Sequence, residues 1–136
     1  MDSYEADRDE ARRLLAAAGK DLRALSGMAD GETFAGEIFG FHAQQAVEKT
    51  LKAWLALLGV EYPKTHDISL LLSLLESRGQ SVGGFCDLIE LNPYAVQFRY
   101  EAFDDLGEPL ERNAVLDRVM KLARTVEGLI PSAPAA

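Results

Sequence analysis

Two short groups of polar residues carry the side chains best suited to chemistry in this chain. The first group is His42, Gln45, Lys49 and Lys52, which recur at steps of three, four and three. On an α-helix these steps place all four on one face, where their N–H groups could bind an anion or a partner. A solvated helix face explains the same spacing, and the sequence leaves both interpretations open.

The second group is the tetrapeptide from Lys64 to Asp67, which precedes an apolar run. Thr65 suits the N-cap of a helix, and Asp67 would then lie in the first turn, where the helix dipole favours a carboxylate. Backbone N–H groups at a helix N-terminus favour phosphate, so Lys64, Thr65 and His66 form a second candidate anion site. The alternative is an ordinary capping turn.

The sequence lacks the signatures of other common kinds of site. His42 and His66 have no second metal-ligand partner at i+3 or i+4. The single cysteine, Cys86, excludes an internal disulfide and a cysteine-based metal site. The Gly83-Gly84 pair lacks the Lys-Ser/Thr of a P-loop. We expect neither a metal nor a cofactor.

Helical periodicity dominates the segments that must position these groups. Apolar residues recur at steps of three and four, and no segment shows the alternation and hairpin turns of strands. The predicted fold class is all-α, an up-and-down bundle of four long helices plus a short helix. The predicted helices are Ser3–Leu25, Glu32–Leu58, a third between the Thr65 cap and Gly79, Phe85–Leu91 and Pro109–Leu129.

The second predicted helix is apolar on two sides. Besides its main core face it carries a second stripe formed by Phe34, Ile38 and Phe41. A helix that is apolar on two sides must be covered on two sides. It therefore lies at the centre of the bundle or also forms a subunit interface, and the three stripe residues are the candidate homodimer contacts.

Composition limits the kinds of partner. Acidic residues outnumber basic ones by 22 to 14, and the formal charge of -8 disfavours general binding to nucleic acid or to an anionic membrane. The longest apolar run, residues 53–60, is far shorter than the ~20 residues of a membrane span. No signal-peptide pattern is present at the N-terminus. We expect one domain over residues 1–130, a short flexible tail over 131–136, and a cytoplasmic location.

Three segments resemble signatures of the HEPN domain family. Residues 41–53, FHAQQAVEKTLKA, resemble its second helix, and residues 63–71, PKTHDISLL, resemble its following loop and third-helix start. Residues 92–100, NPYAVQFRY, resemble its third signature. The resemblance implies a helical bundle that is commonly a homodimer. Many members are encoded beside a minimal nucleotidyltransferase and act in toxin–antitoxin pairs or as nucleotide-binding modules.

Many other HEPN domains are metal-independent ribonucleases, with an arginine followed after four to six residues by a histidine. This sequence departs from that pattern, since the corresponding positions after Arg99 are Asp104, Asp105 and Leu106. An aspartate there would repel an RNA phosphate. The resemblance therefore implies a non-catalytic module. Its candidate residues for binding a nucleotide or partner are His42, Gln45, Lys49, Lys64, Thr65, His66 and Arg99.

The alternative function is a HEPN ribonuclease with an altered active site. It would use Arg99, Tyr100 and His66, with the arginine as the cation that stabilises the developing charge on phosphorus. The histidine would then serve as acid or base for the proton transfers of RNA cleavage.

Overall fold

The chain folds as an all-helical bundle in the computed structural model, which describes residues 3–95 and 109–131. No strand is present in these residues, so the predicted all-α class is confirmed. The structure contains four α-helices and one segment of 3₁₀-helix. In chain order they are α1 (Ser3–Ser26), α2 (Gly36–Leu57), α3 (Ile68–Ser77), the 3₁₀ segment (Gly83–Ala95) and α4 (Arg112–Glu127).

Helix α2 lies at the centre of the bundle and contacts every other helical element. Its packing face is built from fully buried apolar residues such as Phe39, Val47, Leu51 and Leu55. The most extensive contact is with α1, which runs along it. Because α2 is enclosed on several sides, polar residues at the edges of its core face lie against side chains from α1 and from the loop before α3.

The sequence predicts a start at Glu32 for this helix, but α2 begins at Gly36. The reason is a turn built around Asp30, whose carboxylate accepts the Glu32 N–H at 3.0 Å and the Thr33 hydroxyl at 2.6 Å. These bonds hold the backbone of the segment outside a helix. Phe34 therefore lies in the turn and not on α2.

Two glycines terminate helices where the sequence predicted stops. Gly59 and Gly79 have φ values of 71° and 78°, in the left-handed region that only glycine adopts at little cost. The last helix is shorter than predicted and begins at Arg112. The guanidinium of Arg112 donates to the carbonyl oxygens of Met28 and Phe34, both at 2.7 Å, and so ties the start of α4 to the α1–α2 connection.

Within residues 3–95 and 109–131, no helix is both long enough and apolar enough to cross a membrane.

Candidate functional site

Asp21 of α1 organises the first polar cluster against α2. Its side chain is only 9% exposed, and its Oδ1 lies 2.9 Å from His42 Nδ1 while its Oδ2 accepts a hydrogen bond from Lys49 Nζ at 2.7 Å. His42 and Lys49 are two turns apart on α2, so they share the edge that faces α1. We call Asp21, His42 and Lys49 the Asp21 cluster.

Glu48 organises the second cluster on the other edge of the same helix. It is almost fully buried, and its Oε1 lies 2.7 Å from His66 Nδ1 while its Oε2 accepts from Lys52 Nζ at 2.9 Å. Gln44 Nε2 donates to Glu48 Oε1 at 3.1 Å and to the His66 carbonyl oxygen at 3.0 Å. We call these four residues, Gln44, Glu48, Lys52 and His66, the Glu48 cluster.

The pKa of Glu48 lies below its ordinary value. Burial raises the pKa of this carboxyl, but hydrogen bonds from His66, Gln44 and Lys52 lower it and outweigh the burial. Glu48 is therefore held ionised, and its buried charge is balanced by groups from α2 and from the loop that precedes α3.

The two clusters repeat one arrangement of a nearly buried carboxylate, an imidazole and a lysine. An ionised carboxylate only accepts hydrogen bonds, so Nδ1 of each bonded imidazole is the donor and Nε2 is the remaining acceptor of the neutral ring. His42 and His66 keep 27% and 67% of their side-chain surface exposed. Each cluster thus holds an imidazole in a fixed orientation at the protein surface.

The four residues predicted to share one face are in fact divided between the two clusters. His42 and Lys49 contact Asp21, whereas Lys52 contacts Glu48. Gln45 lies between them and donates to Gln44 Oε1 at 2.7 Å. The donors predicted for an external anion therefore already bind carboxylate and amide oxygens of the chain itself, although each lysine ammonium keeps further N–H groups.

The N-cap of α3 is Asp67, and the prediction of Thr65 at that position was wrong. Asp67 Oδ1 accepts the Ser69 N–H at 2.9 Å, and Thr65 Oγ1 instead accepts the N–H of Asp67 at 3.1 Å. Hydrogen bonding by Ser69, followed by that of Asn92, lowers the pKa of Asp67 despite partial desolvation. Asn92 Oδ1 also accepts the Ile68 N–H at 2.9 Å.

Two of the N–H groups at the start of α3 are thus bound within the chain. Lys64 and His66 are the exposed side chains of this loop that could donate to an anion, and the loop also exposes the carboxylates of Glu61 and Asp67. Lys64 makes no hydrogen bond or ion pair to any described residue, and Thr65 is half-buried. The predicted anion site at this helix start therefore depends on side chains more than on the helix terminus.

Comparison with models of known protein families shows the family of this chain. The model of the HEPN domain matches residues 11–129. The chain belongs to the HEPN domain family. The HEPN family includes both nucleotide-binding modules and ribonucleases. Searches of curated proteins and of solved structures found no match.

The segments that resemble HEPN signatures are joined to one another by hydrogen bonds in this domain. The α2 signature contacts the loop signature through Glu48 and His66. The loop signature contacts the third one because Asn92 Nδ2 donates to Asp67 Oδ1 at 2.9 Å. Within the described residues, polar contacts therefore join the α2 signature to the loop before α3, and that loop to Asn92 of the 3₁₀ segment.

The structure describes only some of the remaining predicted site residues of the HEPN domain. Arg99 and Tyr100 lie outside the described residues. Phe34 and Ile38 are half-buried and pack against the core, while the half-buried Phe41 ring meets the His42 ring edge-on at 5.4 Å between centroids. Sequence reasoning missed Asp21, Glu48 and Asn92 as organising residues. The only signal for them was that Glu48 and Asn92 lie inside the family signatures.

Across residues 3–95 and 109–131, no three side chains of His, Cys, Asp or Glu come together as a metal site would require.

Proposed function

We propose that this HEPN domain is a non-catalytic module that binds a nucleotide or docks a nucleotidyltransferase, as one half of a toxin–antitoxin-type pair. The observation that carries the proposal is the pair of clusters flanking α2. Asp21 and Glu48 hold two imidazoles and two lysines in fixed positions on either side of one helix. Each lysine ammonium keeps further N–H groups beyond the one bound to its carboxylate, and such preorganised donors favour phosphate oxygens because little side-chain freedom is lost on binding.

The nucleotide would be held mainly by hydrogen bonds and not by net charge. Each lysine of the two clusters is balanced by a carboxylate, so the ammonium groups of Lys49 and Lys52 add little net positive charge. Lys64 is exposed and unpaired among the described residues, and it supplies the cation beside His66. Arg99 of the third signature is the further cation of the proposed site.

The domain would act as a homodimer through Phe34, Ile38 and Phe41. The Phe41 ring contacts the His42 ring, so the proposed interface lies directly beside the Asp21 cluster. Pairing of two copies would cover apolar surface and would bring the phosphate-binding groups to the edge of the interface.

Calorimetry with ATP and AMP tests nucleotide binding. Lys49→Met keeps the aliphatic stem but removes the ammonium, and we expect it to weaken binding about tenfold, which corresponds to the ~1.4 kcal/mol of one charge-assisted hydrogen bond. The matched control is Lys121→Met at an exposed position of α4, which should leave the affinity for the nucleotide unchanged. Equal affinity of wild type and Lys49→Met would remove Lys49 from the site, and an absence of binding by wild type would contradict the proposal.

A ribonuclease with an altered site is the second candidate, and the geometry of His66 favours it. Glu48 holds Nδ1 of this ring, so the exposed Nε2 is presented as a proton acceptor, as a general base requires. In this alternative Arg99 and Tyr100 complete the site. Labelled single-stranded RNA incubated in EDTA distinguishes the candidates. Cleavage that persists through repurification and is lost in both His66→Ala and Arg99→Ala would establish the ribonuclease, and no cleavage would favour the binding module.

A further inference from the structure

A groove of about 510 Å³ lies between α1 and the end of α4. Two small residues of α1, Ala16 and Gly19, line it and leave room for a side chain from outside the domain. Leu15 and Ile130 add apolar surface to the groove and also pack against the core. The groove therefore offers an apolar contact beside the backbone of α1.

Arg12 forms the end of the groove nearest the N-terminus of α1, and its charge is already used within the chain. Its guanidinium lies 3.2 Å from Asp9 Oδ1 and donates to the Pro131 carbonyl oxygen at 3.3 Å. The second bond fastens the chain after α4 to α1 and so holds the preceding residue, Ile130, at the groove. Arg12 is thus part of the groove wall and not a free cation.

Lys20 and Arg23 bring unpaired positive charge to the other end of the groove. Both side chains are exposed, and neither makes a hydrogen bond or ion pair to any described residue. The dipole of α1 favours a cation at Arg23, which lies in the last turn, but Lys20 lies before that turn. The helix terminus therefore does not account for Lys20.

The charges on α4 leave this part of the surface with an excess of cations. Glu127 lines the groove, and exposed Arg124 lies beside it, one turn earlier on the same helix. The next carboxylate of α4, Asp117, is two further turns from Arg124. Lys20, Arg23 and Arg124 therefore accompany one carboxylate, whereas the whole chain has a formal charge of -8.

We propose that this groove binds an acidic segment of a partner protein that carries an aliphatic side chain. Carboxylates of the segment would pair with Lys20 and Arg23, and the aliphatic side chain would lie over Ala16 and Gly19. Backbone N–H groups of the segment could donate to Glu127. An RNA backbone fits less well, because its phosphate groups offer that carboxylate no donor and gain nothing from the apolar surface.

The groove shares no residue with the Asp21 and Glu48 clusters, so the inference stands apart from the function proposed for them. Exposed ion pairs are individually weak and are screened by salt. The affinity for an acidic segment is therefore expected to fall as the salt concentration rises.

A library of random peptides displayed on phage, selected on the full-length domain in low salt, tests the proposal. The selected peptides are expected to combine acidic residues with an aliphatic residue. A fluorescent synthetic copy of one selected peptide then gives the dissociation constant by anisotropy. Failure to select any peptide, or selection of peptides that lack acidic residues, would overturn the proposal.

Three variants test the contacts of this peptide. Lys20→Met and Arg23→Gln each remove one cation and should weaken binding about two- to fivefold, the range for an exposed ion pair. Gly19→Gln fills the groove without changing any charge and should weaken binding at least about tenfold, the value of one buried aliphatic side chain. A Cβ at Gly19 would meet only Arg23 Nη1, at an ordinary contact distance of 3.7 Å, so this variant should fold normally.

Arg78→Gln is the matched control and should leave the affinity for the peptide unchanged. Arg78 is exposed at the end of α3, which contacts neither α1 nor α4 among the described elements. Wild-type affinity in Lys20→Met or in Gly19→Gln would contradict the proposal. Oligouridylate RNA that binds the wild type and is weakened by these variants, while the peptide is not, would assign the groove to RNA instead.

ATP binding separates this inference from the function proposed above. Lys20→Met should bind ATP with the wild-type affinity, because Lys20 belongs to neither cluster. Loss of peptide binding in this variant without loss of ATP binding supports the groove as a separate site. Parallel loss of both ligands would overturn its independence.

Discussion

At the scale of single residues, Glu48 connects three parts of the candidate site. Its carboxylate is bonded to His66 and Lys52, and Gln44 binds both the carboxylate and the His66 backbone. Removing the charge of Glu48 leaves the Lys52 ammonium without its partner. The Lys52 side chain is only 12% exposed, so water replaces that partner poorly. The loop carrying His66 would then lose its attachment to α2.

Glu48→Gln is expected to destabilise the fold by about 1–3 kcal/mol at pH 7, the usual cost of breaking a buried charged hydrogen-bond group. The Glu48 pKa is lowered in the folded state, because the hydrogen bonds outweigh burial. The contribution of the Glu48 charge to the free energy of unfolding is therefore complete above the ordinary carboxyl pKa of 4.5. It is lost as the pH falls through the lower pKa of the folded state.

Urea unfolding across this pH range measures the effect. The difference in unfolding free energy between wild type and Glu48→Gln should shrink as the pH falls below 4.5. Glu76→Gln, at an exposed position of α3, makes the same chemical change. Its free energy of unfolding should stay within about 0.5 kcal/mol of the wild-type value. A difference that does not change with pH would attribute the loss to packing and not to the charge.

At the scale of elements, α2 and the 3₁₀ segment pack closely together at Gly40. A Cβ on this residue would overlap Cδ1 and Cγ of the Tyr94 ring, which is a buried side chain. Gly40→Ala is therefore expected to destabilise the protein by about 1–3 kcal/mol through overpacking, although alanine favours helix over glycine by about 1 kcal/mol.

Gly36 is the matched control for this prediction. It starts the same helix, and a Cβ there would meet nothing within 4 Å. Gly36→Ala should therefore be neutral or stabilise by up to about 1 kcal/mol. Chemical unfolding compares the two variants, and a Gly40→Ala protein as stable as Gly36→Ala would mean that Tyr94 does not occupy this position in solution.

At the scale of the whole molecule, the proposed Phe41 interface determines the assembly. Phe41 is half-buried and is not among the residues packed against the core, so Phe41→Asp should leave the fold intact. The substitution is expected to convert a dimer of about 30 kDa into a monomer of 14.9 kDa, as measured by sedimentation. Leu70→Asp, on an exposed leucine of α3, is the control. An unchanged mass for Phe41→Asp would exclude this residue from an interface.

The sequence alone determined the features that depend on local spacing. The 3.6-residue period of apolar side chains gave the all-α class and the extent of α1, and glycine's access to positive φ gave the helix stops at Gly59 and Gly79. The resemblance of three segments to HEPN signatures was also readable from the sequence, and the match over residues 11–129 confirms the family that they indicated. The common face of His42 and Lys49 follows from their separation by two helical turns.

Only the tertiary structure decided which partners these residues have. Asp21 lies on α1, 21 residues before His42 and 28 before Lys49, and periodicity within α2 does not indicate which carboxylate packs opposite. The α3 cap shows the same limit. Thr65 and Asp67 are both good N-cap residue types, and Asp67 occupies the cap where Asn92, 25 residues away, also binds it. Local spacing fixes which side chains share a face, but helix packing determines which buried charge they must neutralise.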